Sequence, residues 1–164
     1  MPYYNTSGGV FALHEDGSGI LWIGTQQGLI RSDSKGDNQR FVYDSLNPRS
    51  LGNDNVSAIC EDRKGMIWIG GTQGILNRFD QQTQGFTYYK NNPNDANSIM
   101  GSIINALFED QKGSLWIGMN EGLDQMNHQS ETFKHYTNNP NDSNSISRWS
   151  GSIALRKIKL EIYG

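Results

Sequence analysis

Three near-copies of one ten-residue phrase constrain this chain more than any other feature. Residues 15–24 read Glu-Asp-Gly-Ser-Gly-Ile-Leu-Trp-Ile-Gly. Residues 61–70 read Glu-Asp-Arg-Lys-Gly-Met-Ile-Trp-Ile-Gly, and residues 109–118 read Glu-Asp-Gln-Lys-Gly-Ser-Leu-Trp-Ile-Gly. The tryptophans at 22, 68 and 116 are 46 and 48 residues apart. Self-similarity at such a period marks a repeat architecture, in which each unit buries its apolar surface against the next.

Each unit divides into four short strand-like runs, which in the second unit fall at 56–60, 66–69, 75–79 and 86–89. These runs are rich in β-branched and aromatic residues and are bounded by Gly, Asn and Asp. No stretch sustains apolar residues at helical spacing, so helix is expected to be nearly absent. Along the second run, Ile20, Trp22 and Gly24 point one way and Leu21 and Ile23 the other. Both faces are apolar, as in a sheet covered on both sides. A small twisted sheet with two buried faces, recurring every ~45 residues, is a propeller blade packed between blades. Trp22, Trp68 and Trp116 then pack between blades rather than stacking on a ligand.

The turns repeat as well. Asp16, Asp62 and Asp110 are each followed three residues later by Gly19, Gly65 and Gly113. An Asp carboxylate can accept backbone N–H groups inside such a turn, and Gly supplies the positive φ a hairpin end demands. Gly28, Gly74 and Gly122 end the next connection and are expected there for the same steric reason. The pairs Glu15–Asp16, Glu61–Asp62 and Glu109–Asp110 offer paired carboxylates, but threefold repetition at a turn reads as turn structure rather than acid–base chemistry.

The pattern Glu-Asp-x-x-Gly-x-(Ile/Leu)-Trp-Ile-Gly is followed four residues on by Gly28-Leu29, Gly74-Ile75 or Gly122-Leu123. It resembles the two-component regulator propeller repeat, over about residues 9–147, with Gly71 and Met119 replacing the Thr found at position 25. The resemblance implies β-propellers from the extracytoplasmic part of bacterial hybrid sensor kinases, which respond largely to carbohydrates. It also implies a periplasmic location, although Met1-Pro2-Tyr3-Tyr4 does not begin a signal peptide. The kinase and receiver modules of that family have no counterpart in these residues.

The fold class expected is all-β: β-propeller blades as four-stranded antiparallel meanders, about three of them, with partial strands at both termini. Residues 9–54, 55–101 and 102–147 are the blade repeats; 1–8 and 148–164 are partial strands. Three blades leave two apolar end faces, so a homodimer completing a seven- or eight-bladed disc is expected.

Composition narrows the function classes. A formal charge of −3 with no basic stripe argues against nucleic acid. The cluster Arg156, Lys157 and Lys159 reads as one solvated strand face. No apolar run approaches the ~20 residues of a membrane span, and one cysteine excludes an intrachain disulfide. The three histidines form no metal set, and Asn94-Asp95-x-Asn97 and Asn141-Asp142-x-Asn144 lack the spacing and closing Glu of a calcium loop. No nucleophile–base arrangement, phosphate loop or cofactor motif appears, so neither an enzyme nor a cofactor is expected.

In a four-stranded meander alternate connections share a face. The second-to-third turns and the blade crossovers therefore lie together, on a face rich in amides and hydroxyls. Gln26, Gln27, Gln73, Asn120 and Glu121 are the candidate ligand-binding residues, and a neutral oligosaccharide is the ligand class such groups suit. The crossovers, such as 90–102, are long enough to be functional. Asn, Asp and Pro also form turns, with Leu51, Ile99 and Ile146 pinning each crossover to the disc. Two other readings stand beside this one: an orphan structural or oligomerisation module with no dedicated ligand, and a propeller lyase or hydrolase, since fold does not settle function.

Overall fold

The computed structural model describes residues 9–143, 145 and 146. The expected partial strands at 1–8 and 148–164 lie outside the described residues. The first blade contains β1 (Val10–Glu15), β2 (Leu21–Thr25), β3 (Gly28–Ser32) and β4 (Asn38–Phe41). The second contains β5 (Val56–Glu61), β6 (Ile67–Gly71), β7 (Leu76–Asp80) and β8 (Gly85–Tyr89), and the third β9 (Ile104–Glu109), β10 (Leu115–Met119), β11 (Gly122–Asn127) and β12 (Thr132–Thr137). Each blade is an antiparallel meander in chain order. The helical content among the described residues is one 3-10 turn, Thr72–Gly74. Every inner strand carries a register shift near its start, opposite the end of the second strand.

The blades stack through two apolar seams. Trp22, Leu29 and Phe41 on the first blade meet Ile67, Ile69, Phe79 and Phe86 on the second. Trp68 and Leu76 on the second meet Leu115, Ile117, Met126 and Phe133 on the third. The Trp22 ring lies edge-on to Phe79 at 5.0 Å, and Trp68 lies edge-on to His128 of the third blade at 5.6 Å. We call the Trp-bearing face of a blade trailing and the opposite one leading. Trp116 departs from the inter-blade expectation: it is half-buried, because no fourth blade covers it among the described residues.

The turn that enters each second strand works as the repeat suggests, with an added bond. Asp16 Oδ1 accepts the Ser18 and Ile20 amides, both at 3.0 Å, and its Oδ2 accepts the Trp22 indole N–H at 2.8 Å. Asp62 with Trp68 and Asp110 with Trp116 repeat this bond at 2.8 and 2.9 Å. Burial raises the pKa of Asp16 and Asp110, but these hydrogen bonds outweigh it and hold both carboxyls below their ordinary value. Glycine at the end of the first two Trp-Ile-Gly triplets has a different cause. A Cβ on Gly24 would come within 2.6 Å of Val56 Cγ1, and one on Gly70 would strike Ile104, so the next inner strand leaves no room. Gly122 corrects the expectation of positive φ. Gly28 and Gly74 have it, at 114° and 62°; Gly122 does not, and is instead required because a Cβ would collide with the Tyr136 carbonyl oxygen.

The Glu of the second and third Glu-Asp pairs is more than a turn residue. Glu61 Oε2 accepts the Gly17 amide of the preceding blade at 2.8 Å. Glu109 Oε2 accepts the Arg63 amide in the same way, also at 2.8 Å. Each seam is thus closed by a carboxylate from the following blade gripping the Asp turn of the one before.

Candidate functional site

The five candidate residues occupy the tips of the three second-to-third turns, one turn per blade, and all are exposed. Each turn is braced rather than free. Thr25 is fully buried; its hydroxyl donates to the Gly28 carbonyl at 2.8 Å and accepts the Gln27 amide at 3.0 Å. Gly28 N–H donates to the Asp54 carbonyl of the next crossover at 2.6 Å. In the second blade Asn53 Nδ2 donates to the Thr72 carbonyl and hydroxyl at 2.7 and 2.8 Å, and Gln73 sits at φ 64°. In the third, Asn105 Nδ2 donates to Asn120 Oδ1 at 2.7 Å.

The structure places the five on one face, as three separate tips. Gln27 is partly spent, since Arg40 donates from Nη2 to its carbonyl and its Oε1 at 2.8 and 3.1 Å. Sequence reasoning did not single out Arg40, Asn53 or Asn105. For Asn105 the signal is register, because it is the extra residue at the shift near the start of β9, as Ser57 is in β5.

The crossovers run down the rim, against the outer strand of the next blade. The Phe86 amide donates to the Arg49 carbonyl and the Phe133 amide to the Asn97 carbonyl, both at 2.9 Å, which covers part of a sheet edge. Leu51 and Ile99 are fully buried as pins, while Ile146 is half-buried. The crossover amides are spent locally: Asn92 Oδ1 accepts the Asn94 amide, and Asp95 Oδ1 the Asn97 amide. Among the described residues no cluster could hold a metal ion.

A polar pair, fully buried Asp124 with half-buried His135, anchors the second crossover. Asp124 Oδ2 accepts the Met100 amide at 2.8 Å, as Asn77 Oδ1 accepts the Gly52 amide in the second blade. His135 Nδ1 lies 2.6 Å from Asp124 Oδ1 and its Nε2 lies 2.9 Å from the Ala96 carbonyl. Burial opposes the charged ring, but the Asp124 hydrogen bond and charge outweigh it, so the His135 pKa is raised.

Two of the clefts among the described residues lie elsewhere. One of about 920 Å³, beside the Asp turns of the second and third blades, is lined by Arg63, Lys64, Lys112, Lys134 and His128 among others. The other, of about 360 Å³, lies on the rim by Arg49, Asp80 and Tyr88. None of the five candidate residues lines either cleft.

With this geometry in hand, relatives can be placed. A search of curated proteins finds no match. The extracellular domain of a protein described as a hybrid two-component system of B. thetaiotaomicron is similar in structure, with a TM-score of 0.71 and 22% identity over 78% of this chain. This chain spans 18% of that domain's length. A virginiamycin B lyase from Staphylococcus aureus matches with a TM-score of 0.65 and 16% identity, over 85% of this chain and 44% of the lyase. At such identities these likenesses establish the fold. The family model for the two-component regulator propeller matches residues 6–27, 50–73 and 98–121, one match on each Asp turn and its Trp. The chain belongs to the two-component regulator propeller family and carries three of its repeats as successive blades.

Proposed function

We propose that this chain is a non-enzymatic binding segment of an extracytoplasmic, sensor-type propeller, and that its ligand is a neutral, hydroxyl-rich molecule such as an oligosaccharide. The observation that carries this reading is the set of three braced turns, which present Gln26, Gln73, Asn120 and Glu121 to solvent on one face. Amide side chains offer both donors and acceptors, which suits sugar hydroxyls. Bracing by Thr25, Asn53 and Asn105 fixes the turns beforehand and so lowers the ordering cost of binding. The kinship to sensor propellers supports a periplasmic setting, and no helix among the described residues is long and apolar enough to cross a membrane. The test is calorimetric titration of a panel of neutral oligosaccharides against the chain and against a variant with alanine at all five positions. Binding by the first and its loss in the second supports the proposal. Binding that survives the replacements moves the site off this face.

A further inference from the structure

Asp124 and His135 are partners across β11 and β12, on the leading face of the third blade in line with Met126 and Phe133. His135 Nε2 lies 2.9 Å from the Ala96 carbonyl, which can only accept, so that nitrogen carries a hydrogen. Nδ1 lies 2.6 Å from Asp124 Oδ1. A neutral ring with its hydrogen on Nε2 would turn the Nδ1 lone pair on an ionised carboxylate oxygen. The contact is a bond only when one more proton sits between the two, on Nδ1 as an imidazolium or on Oδ1 as a carboxylic acid. Burial acts in the same sense on the carboxyl. Asp124 is 0% exposed, and burial lifts its pKa over the opposing pull of the His135 bond. On the ring, burial opposes the charge, and the Asp124 hydrogen bond and charge outweigh it. Other charged groups surround the pair without bonding to the ring, because both its nitrogens are already engaged. They are Asp95 on the crossover, Lys134 on β12, Arg63 and Lys64 of the second blade's Asp turn and Lys112 of the third's, with Asp62, Glu109 and His128 beyond. Lys134 Nζ lies over the Tyr136 ring at 4.9 Å, Arg63 pairs with Glu109, and Asp62 is spent on Trp68.

We propose that Asp124 and His135 form a proton-operated clip: one proton held between them fastens the second crossover to the outer strand of the third blade, and its loss releases the crossover at Ala96 and Asn97. Without that proton a neutral ring can donate to Asp124 or to Ala96 but not to both. The buried carboxylate is the stronger acceptor, so the Ala96 carbonyl is given up. Asn97, the next residue, accepts the Phe133 amide at 2.9 Å, so release there uncovers part of the edge of β12. The second blade has the same crossover bond, from the Phe86 amide to the Arg49 carbonyl, but Asn77 and Tyr88 stand in place of the pair. The first blade has Ile30 and Arg40 there. Among the described residues the clip therefore belongs to the third blade. Its sign follows from the upward shift of His135: it is closed below the ordinary histidine value and opens as pH rises through the raised one. The same crossover runs on to Met100–Ser102, which leave no room for a Cβ on Gly74 beside Gln73, and to Ile103, whose carbonyl accepts the Asn120 amide at 3.3 Å. Opening the clip loosens the support behind two candidate turns. Weaker sugar binding in alkaline solution is the consequence, and it rests on the function proposed above.

The test is amide hydrogen exchange of the full chain, followed by NMR without ligand near pH 6 and pH 9, each rate divided by the intrinsic rate at that pH. Phe133 is expected to lose at least tenfold in protection between the two conditions, while Phe86 keeps its own. The double variant Asp124→Asn with His135→Tyr installs the second blade's pair and is expected to hold Phe133 equally protected at both. Wild-type protection at Phe133 that follows Phe86 across the range would overturn the clip. So would a loss that persists undiminished in a folded double variant, and the wild-type comparison decides by itself if that variant does not fold. No ligand enters the measurement, so failure of the clip is distinguishable from failure of the amide-rich face to bind sugar in the calorimetric titration.

Discussion

Ile67 and Leu21 hold the same position in successive blades, yet the first is fully buried and the second is 37% exposed. Trp68 and Trp116 make the matching contrast on the opposite faces, the first 1% exposed and the second half-buried. The residue types hardly differ between seam and end face; what differs is the presence of a neighbour. A blade of this family is therefore incomplete by itself, in the way expected of repeat proteins whose stability comes from nearest-neighbour interfaces. The polar bonds divide along the same line. The Asp–Trp bond lies within each blade and is present three times, whereas the Glu–amide bond spans two blades and is present twice.

The largest expected effect that would sharpen this contrast is at the tryptophans. Trp68→Ala should cost about 3–5 kcal/mol, the range for removing a large buried aromatic. Trp116→Ala should cost less than half as much in dilute solution, because one of its faces meets solvent. Denaturant titration of both variants checks this, and equal costs would break the distinction between seam and end face.

Next in size is the turn carboxylate. Asp62→Ala leaves the buried Trp68 indole N–H without its acceptor and frees the amides of Lys64 and Met66, so a loss of about 1–3 kcal/mol is expected. The acid limb of stability carries the same chemistry. Because the folded pKa values of Asp16 and Asp110 are lowered, their contribution is present above the ordinary carboxyl value and is lost as pH falls through the lowered one. Thermal melts from pH 5 downward should show this loss, and a variant with Asn at positions 16 and 110 should show a flatter acid limb.

The seam carboxylate should matter less and only where it has a partner. Glu61→Ala is expected to cost about 0.5–1.5 kcal/mol, as one hydrogen bond across a partly exposed seam. Glu15→Ala should leave the unfolding of the dilute chain unchanged. Denaturant midpoints for the pair test whether the bond, rather than the glutamate itself, is what stabilises.

The smallest effect separates the third blade from the second. His135 has a raised pKa, so its pairing with Asp124 contributes fully below the ordinary histidine value and is lost as pH rises through the raised one. The second blade has Asn77 and Tyr88 at these positions. The double variant Asp124→Asn with His135→Tyr should therefore melt with less dependence on pH between 6 and 9 than wild type. Identical pH profiles would show that the pair is not coupled to folding.

Much of the blade was legible in the sequence because its signals are local. Alternation along Ile20–Gly24 assigned the two faces of the second strand correctly, and Asp16 with Gly19 specified the turn. The Asp–Trp bond was not legible, since a six-residue spacing says nothing until the strand turns the indole back over the turn. The paths of the crossovers were also hidden. Asn92 and Asp95 announce turns, but only the packed blade shows that Asn97 reaches the Phe133 amide on the rim. The His135–Asp124 pair follows from strand register, which aligns it with Tyr88 and Asn77, and no local pattern marks it. For the candidate site, the positions of Gln26, Gln73, Asn120 and Glu121 at turn tips were readable from the meander. The engagement of Gln27 by Arg40 was not, because it joins β4 to a turn thirteen residues away.

The most direct test of the contrast between seam and end face is the cost of two matched substitutions, Ile67→Ala and Leu21→Ala, measured by denaturant unfolding. Ile67→Ala should cost about 2–5 kcal/mol at every protein concentration, since its seam lies within one chain. Leu21→Ala should cost less than half as much, because its side chain is 37% exposed. A Leu21→Ala cost that equals that of Ile67→Ala would contradict the account.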